Sequence, residues 1–432
     1  MIVYTGQSLY QAADCPDFTG DIICMDEQLP LTGVKIVDLS TYAAVPAAAR
    51  ILADWGANVI KVESFKGDSW RRYGEIAQVP CTEDENPCWD VNNSNKRSIS
   101  LNLRTEKGME ILHRLLADAD VFMTNYRMTA LRAMSLTWKV LHQTYPRLIW
   151  GHLSGYGNKG PEAERPGFDI AAFWARSGLM QDYGQPGMAP LTPFHAVGDM
   201  TTGSIMAGGL CAALYKQART GKGDKVEISL LGTASWLTGF PAVAAQKAYG
   251  NVYPRKRNEQ PSPVCIPYEC ADGEWLELCI MDYERYYPAL CHILDLDTLI
   301  DDERFNTFAA VQCHAGEFID LVQRAFLKKK RADWGPVLTA ADIVYDNVGH
   351  FRDITENQQA WANGNLYERH FNNGRSAVLP NTPITFEEAR RPASPAPLLG
   401  EHSREILREY EYTDEEIEEY IARGIVRDHA ET

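Results

Sequence analysis

Four things are missing from this sequence, and each absence narrows the field. No G-x-G-x-x-G follows the first predicted strand, where the turn reads STYAAVP, so a nicotinamide or flavin cofactor loses its best support. Positive charge is scarce: 42 Lys and Arg stand against 58 Asp and Glu, a net charge of −16, which argues against a nucleic-acid partner because phosphate binding rests on Lys and Arg. The longest apolar stretch, Ile205 to Tyr215 with two glycines inside it, falls well short of the ~20 residues that span a bilayer. The ten cysteines show no paired C-x-x-C of the zinc type, and no basic-then-apolar leader opens the chain. A reducing, cytoplasmic setting without membrane anchor or bound metal is the expectation.

What is present is a chain of 432 residues, 45% hydrophobic, enough for two or three domains with large cores. The pattern divides it into an extension over 1–30, a large domain over 31–245, a small α+β domain over 246–350, and a linker with a returning C-terminal part over 351–432. From Gly33 the pattern is β-α-β: VKIVDL is a strand, Pro46 lies in the first turn of a helix, Gly56 ends it, and NVIKVE is the next strand. RSISLNL, DVFMTN and the run from Leu148 to Leu153 continue the alternation, with Thr105 capping the helix EKGMEILHRLLADA. Such alternation implies a Rossmann-like parallel sheet that delivers several strand ends to one edge. After residue 245 frequent turn signals and alternating apolar positions predict a small antiparallel unit. A helix is expected from about Asp199 to Arg219, with Gly203, Gly208 and Gly209 permitting close packing.

The stretch 147–180 organises the rest. A buried strand stops at Gly155, a loop with Gly157 and Gly160 follows, and Asp169 stands at the start of IAAFWARSG. Aspartate in that place is often an ordinary N-cap. Beside a loop whose backbone amides can approach an oxyanion, it can also be a nucleophile. The long segment 66–97 reads as a functional loop ending in Asn95-Lys96-Arg97 at a strand end. His142 and His152 are expected to be structural, and Tyr156, Phe168, Phe173 and Trp174 would suit an apolar acyl group.

The ordered combination of DLSTYAAVPAAARILADWGANVIKVE, NKRSISLNLRTEKG, ADVFMTN, LSGYGNKGP, PGFD, GDMTTG, TGKGDKVEISL and APLLGEHSREIL resembles the class III coenzyme A transferases from about residue 31 to 410. DENP, NKR, TNYRMTAL and RPGFDIAAFWARSG are most similar to the branch acting on 2-hydroxy acids, such as the 2-hydroxyisocaproate and phenyllactate transferases of amino-acid fermentation. The resemblance implies that Asp169 is the nucleophile, passing through an acyl anhydride and an aspartyl-CoA thioester. Acyl-CoA and a carboxylic acid are then the substrates, with no permanently bound cofactor. The amides of Ser154, Gly155 and Gly157 are the candidates for holding the tetrahedral oxyanions.

The resemblance also places Arg104 and its apolar neighbour Leu101 at CoA, with Asn125, Tyr126, Lys96 and Arg97. Thr41 and Ala43 stand where some relatives carry His and Gln, and Ser154 where some carry a basic residue. It implies an interlocked homodimer. Two other readings are a 2-methylacyl-CoA racemase, in which Phe168 replaces a histidine able to move a proton, and a non-catalytic CoA-binding protein.

Overall fold

The computed structural model describes residues 29–387 and 391–429, so the expected extension over 1–30 lies outside the described residues except for its last two. Strands and helices alternate from β1 (Lys35–Leu39) through α1 (Ala44–Asp54) to β2 (Asn58–Glu63), and from β3 (Arg97–Leu101) through α2 (Glu106–Asp118) to β4 (Val121–Thr124). Then come α3 (Trp138–Thr144), β5 (Ile149–Ser154), α4 (Val197–Thr220) and β6 (Lys225–Ser229). Every residue of β4 is buried, as expected of a strand covered on both faces by helices. Thr105 caps α2 through its side chain, accepting from the Gly108 amide.

These six strands are parallel in the order β3-β2-β1-β4-β5-β6. The order reverses between β1 and β4, and in such sheets the crevice beyond the carboxyl ends at that reversal is where ligands bind. One core fills the face under α1 and α4; a second, under α2 and α3, packs the other face. Alanines 47 to 49 keep the surface of α1 low, which brings α4 close. Gly203 of α4 faces the Ala44 carbonyl, where a Cβ would collide. Gly208 meets nothing within 4 Å and Gly209 touches only Val226, so the close-packing expectation holds for Gly203 alone.

A separate core over residues 264–343 lies under an antiparallel sheet of β7 (Pro267–Glu269), β8 (Trp275–Leu278) and β9 (Tyr345–Asn347). Tyr268, Tyr287, Phe305, Phe318 and Trp334 fill it. The segment read as a linker instead holds a short helix (Gln358–Ala362) and a hairpin of β10 (Leu366–His370) and β11 (Ser376–Pro380). Arg369 of this hairpin pairs with Asp90 at 3.1 Å, tying it to the long loop of the large sheet. The C-terminal α5 (Ser403–Glu409) and α6 (Asp414–Ala422) add Ile406, Leu407, Ile417 and Ile421 to the second core. The acidic start of α6 is a capping box of Thr413 and Glu416, with its negative charges at the favourable helix end. β12 (Val426–Arg427) completes the seven-stranded sheet antiparallel to β3.

Candidate active site

Asp169 opens a π-helical turn (Asp169–Ala175) but does not cap it; Phe168 holds the cap position and no side chain closes that end. Its carboxylate is therefore free of the ordinary structural duty. The side chain is buried, 3% exposed, and neither oxygen makes a hydrogen bond of normal geometry among the described residues, although the amides of Ala196, Gly198 and Asp199 lie near it. It lies against the beginning of α4. A Cβ on Gly198 would overlap Asp169 Oδ1 and the Phe173 ring, so only glycine leaves room for the carboxylate there.

Burial pushes the Asp169 pKa up to about 6, while the amides of Ala196, Gly198 and Asp199 and the nearby His195 pull against that shift. Asp199, in the first turn of α4, is pushed up to about 7 by its own burial and then by Asp169. Both carboxyls are thus raised well above the ordinary carboxylate range, toward neutrality.

Two clefts flank this pair. The first, about 480 Å³, is lined by Thr41, Asn125, Tyr126, Arg127, Ser154, Gly155, Gly167, Phe168 and Asp199 among others. It lies at the sheet's reversal point. There Asn125, just past β4, clamps the loop after β1: its Oδ1 accepts from the Thr41 amide at 3.0 Å and its Nδ2 donates to the Thr41 carbonyl at 2.6 Å. The second cleft, about 940 Å³, is lined by Tyr42, Lys66, Trp70, Tyr73, Ile76, Phe168, Asp169 and His195 among others. Tyr42 and Phe168 meet edge to face at 5.0 Å and border both clefts. Trp70 stacks on Tyr73 at 3.9 Å.

A buried ionic network fixes the floor between them. Lys61 Nζ contacts Asp68 Oδ2 at 3.0 Å and donates to the Ser40 carbonyl, while Asp68 Oδ1 accepts from the Tyr42 and Trp70 amides. This holds Tyr42 in its left-handed conformation at φ 63°, a strained position for an aromatic residue.

The sequence-based candidates fall into three groups. Thr41, Asn125, Tyr126, Ser154 and Gly155 line the first cleft around the reversal point. Arg104 is exposed on the loop after β3, and its side chain has no ion pair among the described residues. The others require correction. Lys96 is buried, its Nζ bound to Asp38 Oδ2 at 3.0 Å, the Pro46 carbonyl and Asn93 Oδ1, so it has no donor to give a phosphate. Burial lowers its pKa to about 8 against the pull of Asp38.

Arg97 sits at the amino end of β3, away from the crevice, engaged by Glu405 and Glu409. Leu101 and Ala43 are both fully buried and present no surface to a ligand. The Gly157 amide already donates to Ser154 Oγ at 3.0 Å, so the oxyanion role expected of the 154–157 loop loses that donor. Gly155 is needed for another reason: a Cβ there would strike the Gly167 backbone, where the two loops cross. Gly155, Gly157 and Gly160 have the G-x-G-x-x-G spacing, but the chain runs on into a loop and not into a helix N-terminus.

His152 is saturated. One ring nitrogen faces the Tyr126 carbonyl at 2.9 Å, the other faces Asn158 at 2.8 Å, and burial lowers its pKa, so it is a neutral structural group. His142 stacks on Trp138. Of the four aromatics expected around the acyl group, Phe168 faces the clefts, Phe173 is core and Trp174 packs against that core. Tyr156 lies between Arg165 and Arg176.

Several site residues were passed over in sequence. Tyr42, Trp70, Tyr73 and His195 come from three distant loops, and no periodicity connects them. Asp199 sits inside GDMTTG and Arg127 directly follows Asn125-Tyr126, so a carboxylate and a cation at strand and helix ends were the available signals. Arg127 is exposed and has no ion pair among the described residues.

Comparison with known proteins supplies the family. The sequence model of CoA-transferase family III matches residues 31–403.

The chain belongs to CoA-transferase family III.

It is 37% identical to (R)-2-hydroxy-4-methylpentanoate CoA-transferase of Clostridioides difficile over 398 residues, covering 92% of this chain and 99% of that protein. It is also 37% identical to cinnamoyl-CoA:phenyllactate CoA-transferase of Clostridium sporogenes, covering 90% of this chain and 95% of that one. Among solved structures, a CAIB/BAIF family protein from Brucella suis superposes with a TM-score of 0.76 at 30% identity, covering 88% of this chain and 99% of that one. As a CoA-transferase the chain uses CoA thioesters and carboxylates as substrates. Among its described residues there is no cluster of three or more His, Cys, Asp or Glu suited to a metal, and no helix long and apolar enough to cross a membrane.

Proposed function

We propose that this enzyme moves CoA from an acyl-CoA, such as a 2-enoyl-CoA, to a 2-hydroxy carboxylic acid, with Asp169 as the covalent carrier. The observation that carries this reading is the buried Asp169 carboxylate in the wall of the second cleft, beside Phe168 and Asp199, which line both clefts. CoA occupies the first cleft, its phosphates drawn by Arg104 and Arg127 and its pantetheine arm running past Thr41, Asn125 and Tyr126. The acid lies in the second cleft, where Lys66 and His195 attract its carboxylate and Tyr42, Trp70, Tyr73, Ile76 and Phe168 receive an apolar side chain. Both curated relatives named above act on such acids, one branched and one aromatic.

The chemistry follows from a carboxylate that cannot be hydrated. An Asp169 oxygen attacks the thioester carbonyl, the C–S bond breaks, and CoA thiolate leaves a mixed anhydride. The thiolate attacks the Asp169 carbonyl and the donor acid departs, leaving an aspartyl-CoA thioester. The acceptor carboxylate attacks that carbonyl and expels the thiolate; thiolate attack on the new acyl group then restores Asp169. Each oxyanion forms next to the start of α4, whose amides and dipole favour negative charge.

An interlocked homodimer belongs to this proposal. Trp236 and Phe240 are 80% and 93% exposed, an apolar surface that a second copy would cover. Eight free cysteines among the described residues accord with a reducing compartment.

The test is acyl exchange followed by mass spectrometry over a panel of acyl-CoA donors and acids, comparing wild type with Asp169→Asn. Exchange that is fastest with 2-hydroxy acids and falls at least ~10³-fold in the variant supports the proposal. Equal turnover of 2-hydroxy and unsubstituted acids would remove the substrate assignment. Deuterium uptake beside the thioester without exchange would replace the reaction with racemisation.

A further inference from the structure

We propose that Cys265 and Cys279 form a surface dithiol site that low-molecular-weight disulfides oxidise to a cross-strand disulfide. β7 and β8 pair with Pro267 opposite Glu277, and continuing that register two pairs outward, past Ile266 and Leu278, sets Cys265 opposite Cys279. The flanking pairs carry the ladder: the Leu278 amide donates to the Ile266 carbonyl at 3.4 Å, and the Ile280 amide to the Val264 carbonyl at 3.0 Å. Cys265 and Cys279 are therefore a non-hydrogen-bonded pair, whose Cα atoms stand roughly 4.5 Å apart. That spacing lies within the range of about 4.4 to 6.8 Å that a disulfide requires.

The side chains point the same way. Val264, Ile266, Leu278 and Ile280 are buried, so the alternating positions 265 and 279 share the outer face. Cys279 is exposed and Cys265 partly so. The Cys265 thiol donates to the Ile280 carbonyl at 3.5 Å, and burial together with the neighbouring Cys265 raises the Cys279 thiol above its ordinary range. Cys270 and Cys291, by contrast, are buried, with thiols pushed up to about 11.

Exposure sets the order of events. The Cys279 thiolate attacks one sulfur of the small disulfide, forming a mixed disulfide and releasing one small thiolate. The Cys265 thiolate then attacks the Cys279 sulfur and releases the second. Two protein thiols are oxidised by two electrons, and one small disulfide becomes two thiols.

The experiment uses the full chain and does not depend on activity. Reduced wild-type protein is incubated with oxidised glutathione, alkylated, digested and analysed by peptide mass spectrometry. A linkage between Cys265 and Cys279 is expected, with Cys270 and Cys291 still alkylated. In Cys265→Ser, a stable glutathione adduct at Cys279 should accumulate; in Cys279→Ser, uptake at Cys265 should be at least about tenfold slower. The proposal is overturned if Cys265 and Cys279 stay fully alkylated while the exposed Cys313 reacts, or if wild type retains an unresolved adduct at Cys279.

Discussion

Gly198 and Asp169 occupy one space: the carboxylate lies where any side chain at position 198 would be. The first turn of α4 and the proposed nucleophile are thereby placed in contact, with the amides of Gly198 and Asp199 beside the carboxylate.

Gly198→Ala should displace the carboxylate while leaving the CoA cleft intact. The expected result is a fall in kcat of about 10²-fold with the KM for acyl-CoA within twofold of wild type, measured by steady-state exchange. A matching rise in KM would mean that the helix start also holds CoA.

The pH dependence has a definite sign. Asp169 must be ionised to attack, so kcat should rise with pH through about 6 and then level off. Asp199→Asn should leave that limb in place, because burial, and not the Asp199 charge, is what raises Asp169. Stability runs the other way. The folded pKa of about 6 lies above the ordinary aspartate value of 3.8, so the contribution is fully present below 3.8 and lost as pH rises through 6. Asp169→Asn should therefore be more stable than wild type at pH 8, by about 2 to 3 kcal/mol, and equal to it near pH 4. Urea titrations at the two pH values check this.

The two clefts separate by mutation. Ile76→Trp narrows only the second cleft and should raise the KM of a bulky 2-hydroxy acid about tenfold without changing that of the acyl-CoA. Arg104→Gln should raise the KM of the acyl-CoA about tenfold, an effect that shrinks with added salt. Kinetics with donor and acceptor varied in turn distinguish the two.

Lys96 and Arg104 illustrate how far sequence could go. Both are basic residues beside β3, and nothing local to either distinguishes them; only the fold shows that Lys96 lies buried against Asp38 while Arg104 faces out. The parallel sheet was legible because each of its strands is a short apolar run between turn signals, and Asp169 because a glycine-rich loop leads into it. The second cleft was not, since Tyr42, Trp70 and His195 converge only through the buried ion pair of Lys61 and Asp68 and the crossing of α1 by α4. The expected linker at the start of 351–432 runs into a hairpin over 366–380 whose many polar residues conceal it and whose partner, Asp90, lies far away in sequence.

The same contrast gives a prediction. Lys96→Met removes the nearer of the two buried cations beside Asp38, leaving Lys61 at 4.0 Å and the Ser40 hydroxyl, and should cost about 1 to 3 kcal/mol in thermal or denaturant unfolding. Arg97→Gln should leave the KM for acyl-CoA unchanged, as its guanidinium is engaged by Glu405 and Glu409.

The most direct measurement is chemical trapping during turnover. Enzyme incubated with an acyl-CoA donor is quenched with hydroxylamine, digested and read by peptide mass spectrometry. A hydroxamate at Asp169, formed only when donor is present, is the expected result. A hydroxamate at Asp199, or turnover with no marked carboxylate at all, would contradict it.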